Sequence, residues 1–285
     1  MLAELFLQTA LTFLSREVPR WPQENHCYSC HNNGDAARAL YSAQRRGYTV
    51  PDAALADTTA FLMTPAKWDE IHGAPAASDK KLARIQFGAA LAEAYHSGVI
   101  RDDGALRAAA ESLVKLQDPD GSWRVDAGGL PGAPATYGTT LATYMTRRTL
   151  VVAGRMQYAD SIGRATLWLE AAKPASVLDA AALLLASPGR TDCRKFLRNA
   201  QTSDGGWGAQ PKMPAEVFDT AMVLMALDAP ASAIERGRTW LLKMQDKDGG
   251  WPETTRPSGS HSYAERISTT GWVVYALLEM ERRAR

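Results

Sequence analysis

The stretch Q-T-S-D-G-G-W at residues 201–207 decides the fold of this chain. It is one of three copies of the pattern Q-x-x-D-G-x-W, and the others span residues 117–123 and 245–251. In each copy the Asp-Gly pair predicts a tight turn, because glycine accepts a positive φ at no steric cost. The tryptophan can then pack on the end of the preceding helix, while the glutamine satisfies backbone groups left open there. Three such copies predict a repeat protein whose helices are fastened together by the motif.

The overall composition excludes several classes of function. The 285-residue chain carries 32 Lys and Arg against 31 Asp and Glu, so its net charge predicts no polyanionic partner, and no basic stripe indicates nucleic acid. Hydrophobic residues make up 46%, which is enough for a large core. No apolar run reaches the length of a membrane span, so no transmembrane segment is predicted. Residues 1–14 lack a basic leader region and predict an amphipathic helix rather than a signal peptide.

Apolar residues recur with helical periodicity along the chain, and alternating β-type runs are nearly absent. The pattern predicts an all-α protein of twelve helices in six hairpins, and the absence of a linker predicts a single domain over residues 1–285. Six hairpins can close into an α/α toroid with one helix of each pair outside and one inside. The predicted helices span residues 2–17, 35–46, 53–63, 80–96, 105–116, 139–153, 160–171, 177–186, 191–200, 216–227, 231–244 and 264–281.

Two further stretches, V-F-D-T-A-M-V-L-M-A-L at residues 217–227 and S-T-T-G-W-V-V-Y-A-L at residues 268–277, complete a family resemblance. With the three motif copies, they resemble the squalene-hopene cyclase and prenyltransferase repeat superfamily. The resemblance covers residues 105–285 and is only architectural before them. It implies an α/α six-hairpin toroid whose motif loops gather at one end of the ring, over the mouth of a central cavity.

The resemblance also implies chemistries that this sequence matches incompletely. Class II terpene cyclases protonate an alkene with the middle Asp of D-x-D-D-T-A, but the matching residues 216–221 read E-V-F-D-T-A, with Phe218 at that position. Asp219 remains as a weak candidate acid, because non-catalytic repeats of the family also carry D-T-A here. The favoured interpretation is a residue at the start of an inner helix, where the helix dipole favours a carboxylate. Protein prenyltransferases bind zinc through D-x-C and a His. Here Asp192 and Cys193 are adjacent without a spacer, so that site is not predicted.

The first hairpin loop, H-C-Y-S-C-H-N-N at residues 26–33, lacks the repeat motif and carries C-x-x-C-H instead. This pattern is typical of covalent haem c, in which Cys27 and Cys30 add to the vinyl groups and His31 ligates the iron. A zinc site formed by His26, Cys27, Cys30 and His31, a redox dithiol and an inert loop are the alternatives. The candidates for a second axial haem ligand are His72, Met213 and His261.

The leading sequence-based hypothesis is therefore a haem c protein that works in electron transfer or haem-based redox chemistry, exported to the periplasm and served by a redox or membrane-complex protein partner. The alternative is a terpenoid- or isoprenoid-acting enzyme that lacks the usual acid and holds an apolar small molecule in the toroid cavity. A non-catalytic scaffold that binds a partner at the loop rim is the third hypothesis. Without haem, a cytoplasmic location is expected. The sequence leaves open whether the protein is an enzyme.

Overall fold

The computed structural model describes residues 2–69, 79–125, 134, 137–228, 230–256 and 258–284. Its regular structure in these ranges is entirely helical, without a strand. The α-helices are α1 (Leu2–Asn25), α2 (Ala37–Arg45), α3 (Ala56–Leu62), α4 (Lys80–His96), α5 (Gly104–Lys115), α6 (Thr139–Gly154), α7 (Ala159–Ala171), α8 (Val177–Ala186), α9 (Thr191–Ala200), α10 (Val217–Ala226), α11 (Ala231–Lys243) and α12 (Tyr263–Ala284). A seven-residue π-helical segment, Cys30–Ala36, precedes α2.

The even-numbered helices form an inner ring. Each packs against the next from α2 through α4, α6, α8 and α10 to α12, and α12 closes the ring against α2 and the π-helical segment. The odd-numbered helices pack outside them, which confirms the predicted all-α six-hairpin toroid. Among the described helices none is both long and apolar enough to cross a membrane.

Each copy of the repeat motif fastens its hairpin to the following one. In the copy at residues 201–207, the amide nitrogen of Gln201 donates to the carbonyl oxygens of Gly205 and Ala233, both at 2.8 Å. Ala233 lies in the next outer helix, α11, while the indole of Trp207 donates to Leu197 of the preceding outer helix at 2.8 Å. One motif therefore ties two consecutive outer helices together.

The third motif closes the ring. The amide of Gln245 donates to the carbonyl of Phe6 at 2.9 Å, so the sixth hairpin is tied to α1 in the same way. Gly249 of this copy has a φ of 93°, and a Cβ atom there would lie 2.4 Å from the carbonyl oxygen of Thr9. Only glycine allows both the turn and this close approach.

The first hairpin differs from its prediction in two respects. α1 continues to residue 25 rather than ending at residue 17, although it contains two prolines. The predicted loop over residues 26–33 is also wrong beyond Ser29, because the π-helical segment begins at Cys30. Asn33 accounts for both differences: its amide donates to the Val18 carbonyl at 3.2 Å, which Pro22 cannot reach for lack of an N–H. The side-chain oxygen of Asn33 accepts from the backbone N–H of Ser29 at 2.9 Å and so fixes the start of the π-helical segment.

Candidate functional site

A chamber of about 710 Å³ opens at the end of the ring where the inner helices terminate, opposite the motif loops. All six inner helices or the residues that follow them contribute to it, so its wall is the toroid itself. The lining residues are Arg45, His96, Tyr144, Arg148, Leu184, Leu185, Pro188, Met225, Ala226, Asp228, Glu279, Arg282 and Arg283.

Arginines outnumber carboxylates around this chamber. Glu93 lies 2.8 Å from Arg45 and 3.4 Å from Arg148, and thus pairs with two cations at once. Glu279 accepts from Arg282 at 3.0 Å. Arg283 donates instead to carbonyl oxygens at the end of α10, which is a favourable place for a cation because of the helix dipole. The mouth of this chamber is therefore suited to an anionic group of a ligand.

A smaller cavity of about 10 Å³, which is room for one water-sized group, lies further inside. Arg148 and His96 line both cavities, so the two adjoin. Arg38 lines the inner cavity and is only 1% exposed. Its guanidinium lies 3.9 Å from the ring centre of Trp272 and 4.5 Å from that of Tyr275, an arrangement in which both aromatic faces are occupied by a cation.

Asp35, one turn before Arg38, is a buried junction between four hairpins. One carboxylate oxygen accepts from Gln86 at 2.9 Å, from Trp272 at 3.2 Å and from the hydroxyl of Ser268. The other accepts from the hydroxyl of Tyr137. Since amide and indole N–H groups can only donate, Asp35 acts here as a hydrogen-bond acceptor that fixes the centre of the ring.

Asp219 lies at the start of α10, at the motif-loop end of the ring, and is fully buried. Arg256 is placed between two carboxylates, 2.9 Å from Asp219 and 2.5 Å from Glu216. The second oxygen of Asp219 has no hydrogen-bond partner. Burial raises the pKa of Asp219 to about 8, against the attraction of Arg256 and with the repulsion of Glu216. The Asp219 carboxyl group therefore keeps its proton to a higher pH than a solvated aspartate does.

Asp219 does not line the chamber. Met225, which does, follows it by six residues on α10, or about 9 Å along the helix axis. Phe218, which precedes Asp219 on α10, packs against Trp272 with their ring centres 5.6 Å apart.

The C-x-x-C-H segment lies at the same end of the ring as Asp219. Cys27 is buried and Cys30 partly buried, and both are free thiols. Burial, and then the charge of Asp35, raises the pKa of Cys30 to about 12, so this group is a thiol rather than a thiolate. Burial also lowers the pKa of His31, whose Nδ1 is 3.6 Å from the Cys30 sulfur and whose Nε2 is buried without a partner.

The other predicted axial ligands are His72, Met213 and His261. His72 lies outside the described residues. Met213 is half exposed, and His261 is exposed and contacts Glu253 at 2.9 Å. In the described part of the chain, no group of three or more His, Cys, Asp and Glu side chains is arranged to hold a metal ion.

Sequence reasoning missed Asp35 and Arg38 as interior residues. A signal was present: both stand in the otherwise small and apolar run D-A-A-R-A-L at residues 35–40, three residues apart and therefore on one helix face. Opposite charges on the buried face of an inner helix indicate a polar centre, but their partners come from other hairpins.

Comparison with known proteins agrees with the architecture. Residues 175–285 match the family described as the squalene-hopene cyclase C-terminal domain. No curated protein sequence is similar enough to count as a match. The solved structure of the type II terpene cyclase MstE from Scytonema superposes with a TM-score of 0.60 at 14% identity, covering 99% of each chain.

Two further structures are similar over nearly their whole length. A variant of the same cyclase in complex with its substrate, geranylgeranyl dihydroxybenzoate, has a TM-score of 0.61 at 12% identity, over 99% of this chain and 97% of that one. A protein from Actinoplanes has a TM-score of 0.62 at 14% identity, over 98% and 99%. The chain described here has the α/α toroid fold of the type II terpene cyclases.

Proposed function

We propose that this chain is a terpenoid cyclase-like enzyme that acts on an isoprenoid small molecule held inside the ring. The fold supports this, since the similar cyclase binds a substrate with a geranylgeranyl chain. The chamber of about 710 Å³ also lies within the usual range of small-molecule sites, about 300–1,000 Å³. The sequence-based alternative of an apolar ligand in the cavity is thus favoured over the haem hypothesis.

The observation that carries the proposal is the buried acid Asp219. Cyclisation by alkene protonation needs a carboxylic acid that keeps its proton at working pH, and burial shifts the pKa of Asp219 upward, in the direction that this requires. In the proposed reaction the isoprenoid chain extends beyond the chamber to Asp219, which requires the packed residues between them to move. A C–H bond then forms as the proton moves from Asp219 to one alkene carbon, and the other carbon becomes cationic and is attacked by the next double bond. The final cation loses a proton, so the product is an isomer of the substrate. Arg256, at 2.9 Å, stabilises the carboxylate left on Asp219.

The test is a search for that isomer. Purified protein is incubated with geranylgeranyl dihydroxybenzoate, and the products are separated by liquid chromatography and identified by mass and NMR. We expect a cyclised product of unchanged mass from the wild type and none from Asp219→Asn. Asp160→Asn, which alters an exposed carboxylate on outer helix α7, is the matched control and should retain activity. Absence of the isomer in the wild type, or an undiminished yield in Asp219→Asn, would contradict the proposal.

A second candidate function is supported by His31. Its Nε2 is buried and has no partner, as expected of an imidazole that awaits an iron or zinc ligand bond, and it follows Cys30 directly. In this proposal Cys27 and Cys30 would hold haem c covalently, His31 would ligate the iron, and the protein would be exported and would exchange electrons with a redox partner. The haem would supply one-electron chemistry at the motif-loop end of the ring.

Absorption spectroscopy tests this second candidate. The protein is expressed with periplasmic export and a haem-maturation system, and its oxidised and dithionite-reduced spectra are recorded before and after acid-acetone extraction. A Soret band that survives extraction and is lost in Cys27→Ser/Cys30→Ser supports covalent haem. A colourless protein contradicts it, and metal analysis then decides whether zinc is bound instead.

A further inference from the structure

We infer that Arg38 forms an anion-binding site at the inner end of the chamber and that the ligand of the chamber carries a carboxylate. This deepens the proposed function by naming the chemical class of the ligand, and it rests on that function only in assuming that the ligand is prenylated.

Arg38 is a buried cation without a counterion in contact. A guanidinium is always charged and has five N–H donors. In the described structure Arg38 makes one hydrogen bond, from Nη1 to the sulfur of Met145 at 3.4 Å, while Nε and Nη2 are buried without a partner. An unpaired buried charge is costly, so a group that can accept from these two nitrogens gains much by binding there.

The neighbouring carboxylates are already engaged. Asp35 precedes Arg38 by one turn but accepts from Gln86, Tyr137, Ser268 and Trp272. The Glu93 side chain lines the inner cavity as well, and it pairs with two other arginines of the chamber. Neither therefore neutralises Arg38 by direct contact.

Arg38, whose Nε and Nη2 have no partner, lines the inner cavity. The inner cavity holds one water-sized group, which matches one oxygen of a carboxylate or a single-atom anion. It adjoins the chamber at His96 and Arg148, so a ligand in the chamber can reach Arg38 with its head group. Together the two cavities are lined by five arginines (Arg38, Arg45, Arg148, Arg282 and Arg283) and by three carboxylates (Glu93, Asp228 and Glu279).

The position of Arg38 determines the sign of the charge that this part of the cavity can bind. Aromatic faces attract cations, but here the faces of Trp272 and Tyr275 are already covered by the guanidinium of Arg38. A second cation would meet that charge at close range, whereas an anion would be attracted by it. The structure therefore assigns the head of the ligand, rather than a reactive cation, to this position.

The experiment compares two ligands of equal chain length. Farnesoic acid, ionised at pH 8, and neutral farnesol are titrated into the wild type by isothermal calorimetry at fixed low salt. We expect the acid to bind at least about tenfold more tightly, as a charge-assisted hydrogen bond implies. Arg38→Met should abolish this preference while leaving farnesol affinity within about twofold, and Arg38→Lys should keep part of it. Arg238→Met, on the exposed side of α11, is the control and should change neither affinity.

Equal affinities of the wild type for acid and alcohol would overturn the inference, and this comparison needs no variant to fold. An unchanged preference in Arg38→Met, shown to be folded by its thermal melt, would overturn it too. A chloride titration distinguishes a free ion from a ligand head group: a site that takes chloride without preferring the acid would overturn the assignment of a carboxylate ligand. A carboxylate preference without any cyclised product would leave the inference standing and sink only the proposed enzymatic function.

Discussion

Removal of the Asp35 carboxylate should loosen the centre of the ring more than any other single polar change there. In Asp35→Ala, the Nε2 of Gln86 and the Nε1 of Trp272 lose their acceptor. Both donors are buried and cannot turn to water. The hydroxyls of Tyr137 and Ser268 lose the same acceptor but can rotate toward other oxygens.

The magnitude follows from these two orphaned donors. Each buried donor without an acceptor costs about 1–3 kcal/mol, so Asp35→Ala should lower the free energy of unfolding by about 2–6 kcal/mol. The entropy of unfolding is about 2.1 cal/mol/K per residue, or ~600 cal/mol/K for 285 residues, so each kcal/mol lowers the melting temperature by about 1.7 °C. The expected loss is thus about 3–10 °C.

Thermal unfolding followed by circular dichroism at 222 nm measures this loss. Asp35→Asn should lose less than half as much, because its carbonyl oxygen can still accept from Gln86 and Trp272 while its amide faces the hydroxyl of Tyr137. Asp160→Asn, an exposed carboxylate, should stay within about 0.5 kcal/mol of the wild type. An Asp35→Ala protein that melts within 1 °C of the wild type would refute the assignment of Asp35 as the junction of the ring, by the ~1.7 °C per kcal/mol above.

Three further predictions concern the motifs and the buried acid. Gly249→Ala should lower the melting temperature by several degrees, because its φ is 93° and its Cβ would meet the Thr9 carbonyl at 2.4 Å, whereas Gly163→Ala, with open space around a helical glycine, should raise it slightly. Trp251→Ala should cost about 3–5 kcal/mol in a denaturant titration, and a loss below 1 kcal/mol would refute its fastening role. Since burial raises the pKa of Asp219 to about 8, the folded protein holds a proton that the unfolded chain releases near pH 4. The contribution of protonated Asp219 to the free energy of unfolding is therefore fully present below about pH 4 and is lost as the pH rises toward 8. The melting temperature of the wild type should fall over this range relative to that of Asp219→Asn, and a constant difference between the two proteins would contradict the prediction.

The outer architecture could be predicted because its determinants are local. The glutamine of each motif donates to the glycine carbonyl four residues later, at Gly205 or Gly249, so the motif fixes its own turn wherever it occurs. Only the second bond of each glutamine, to Ala233 or Phe6, depends on a distant part of the chain. The first hairpin was predicted less well because Pro22 argues against a helix by the same local logic. The helix continues because Asn33, eleven residues after Pro22, donates its side-chain amide to the Val18 carbonyl, for which the proline has no N–H.

The interior could not be predicted in the same way. The partners of Asp35 stand 51, 102, 233 and 237 residues away, on elements that meet only when the ring is closed. Nothing in a single stretch of sequence indicates that Gln86, Tyr137, Ser268 and Trp272 converge on one carboxylate. The same holds for Arg38, whose aromatic neighbours belong to the last helix.

Trp272 connects the anion site to the acid. One face of its ring covers the guanidinium of Arg38, and its edge-on neighbours Phe218 and Tyr137 lie 5.6 and 5.5 Å away toward the motif-loop end. Trp272 and Phe218 are fully buried, so the chain of a ligand whose carboxylate is held by Arg38 can approach Asp219 only if these side chains move apart. A cation formed by protonation at Asp219 would then develop on the far side of Trp272 from the guanidinium, near the carboxylates of Asp219 and Glu216. The separation of the two charges thus allows one ring to hold an acidic head group and to carry out cationic chemistry on the chain attached to it.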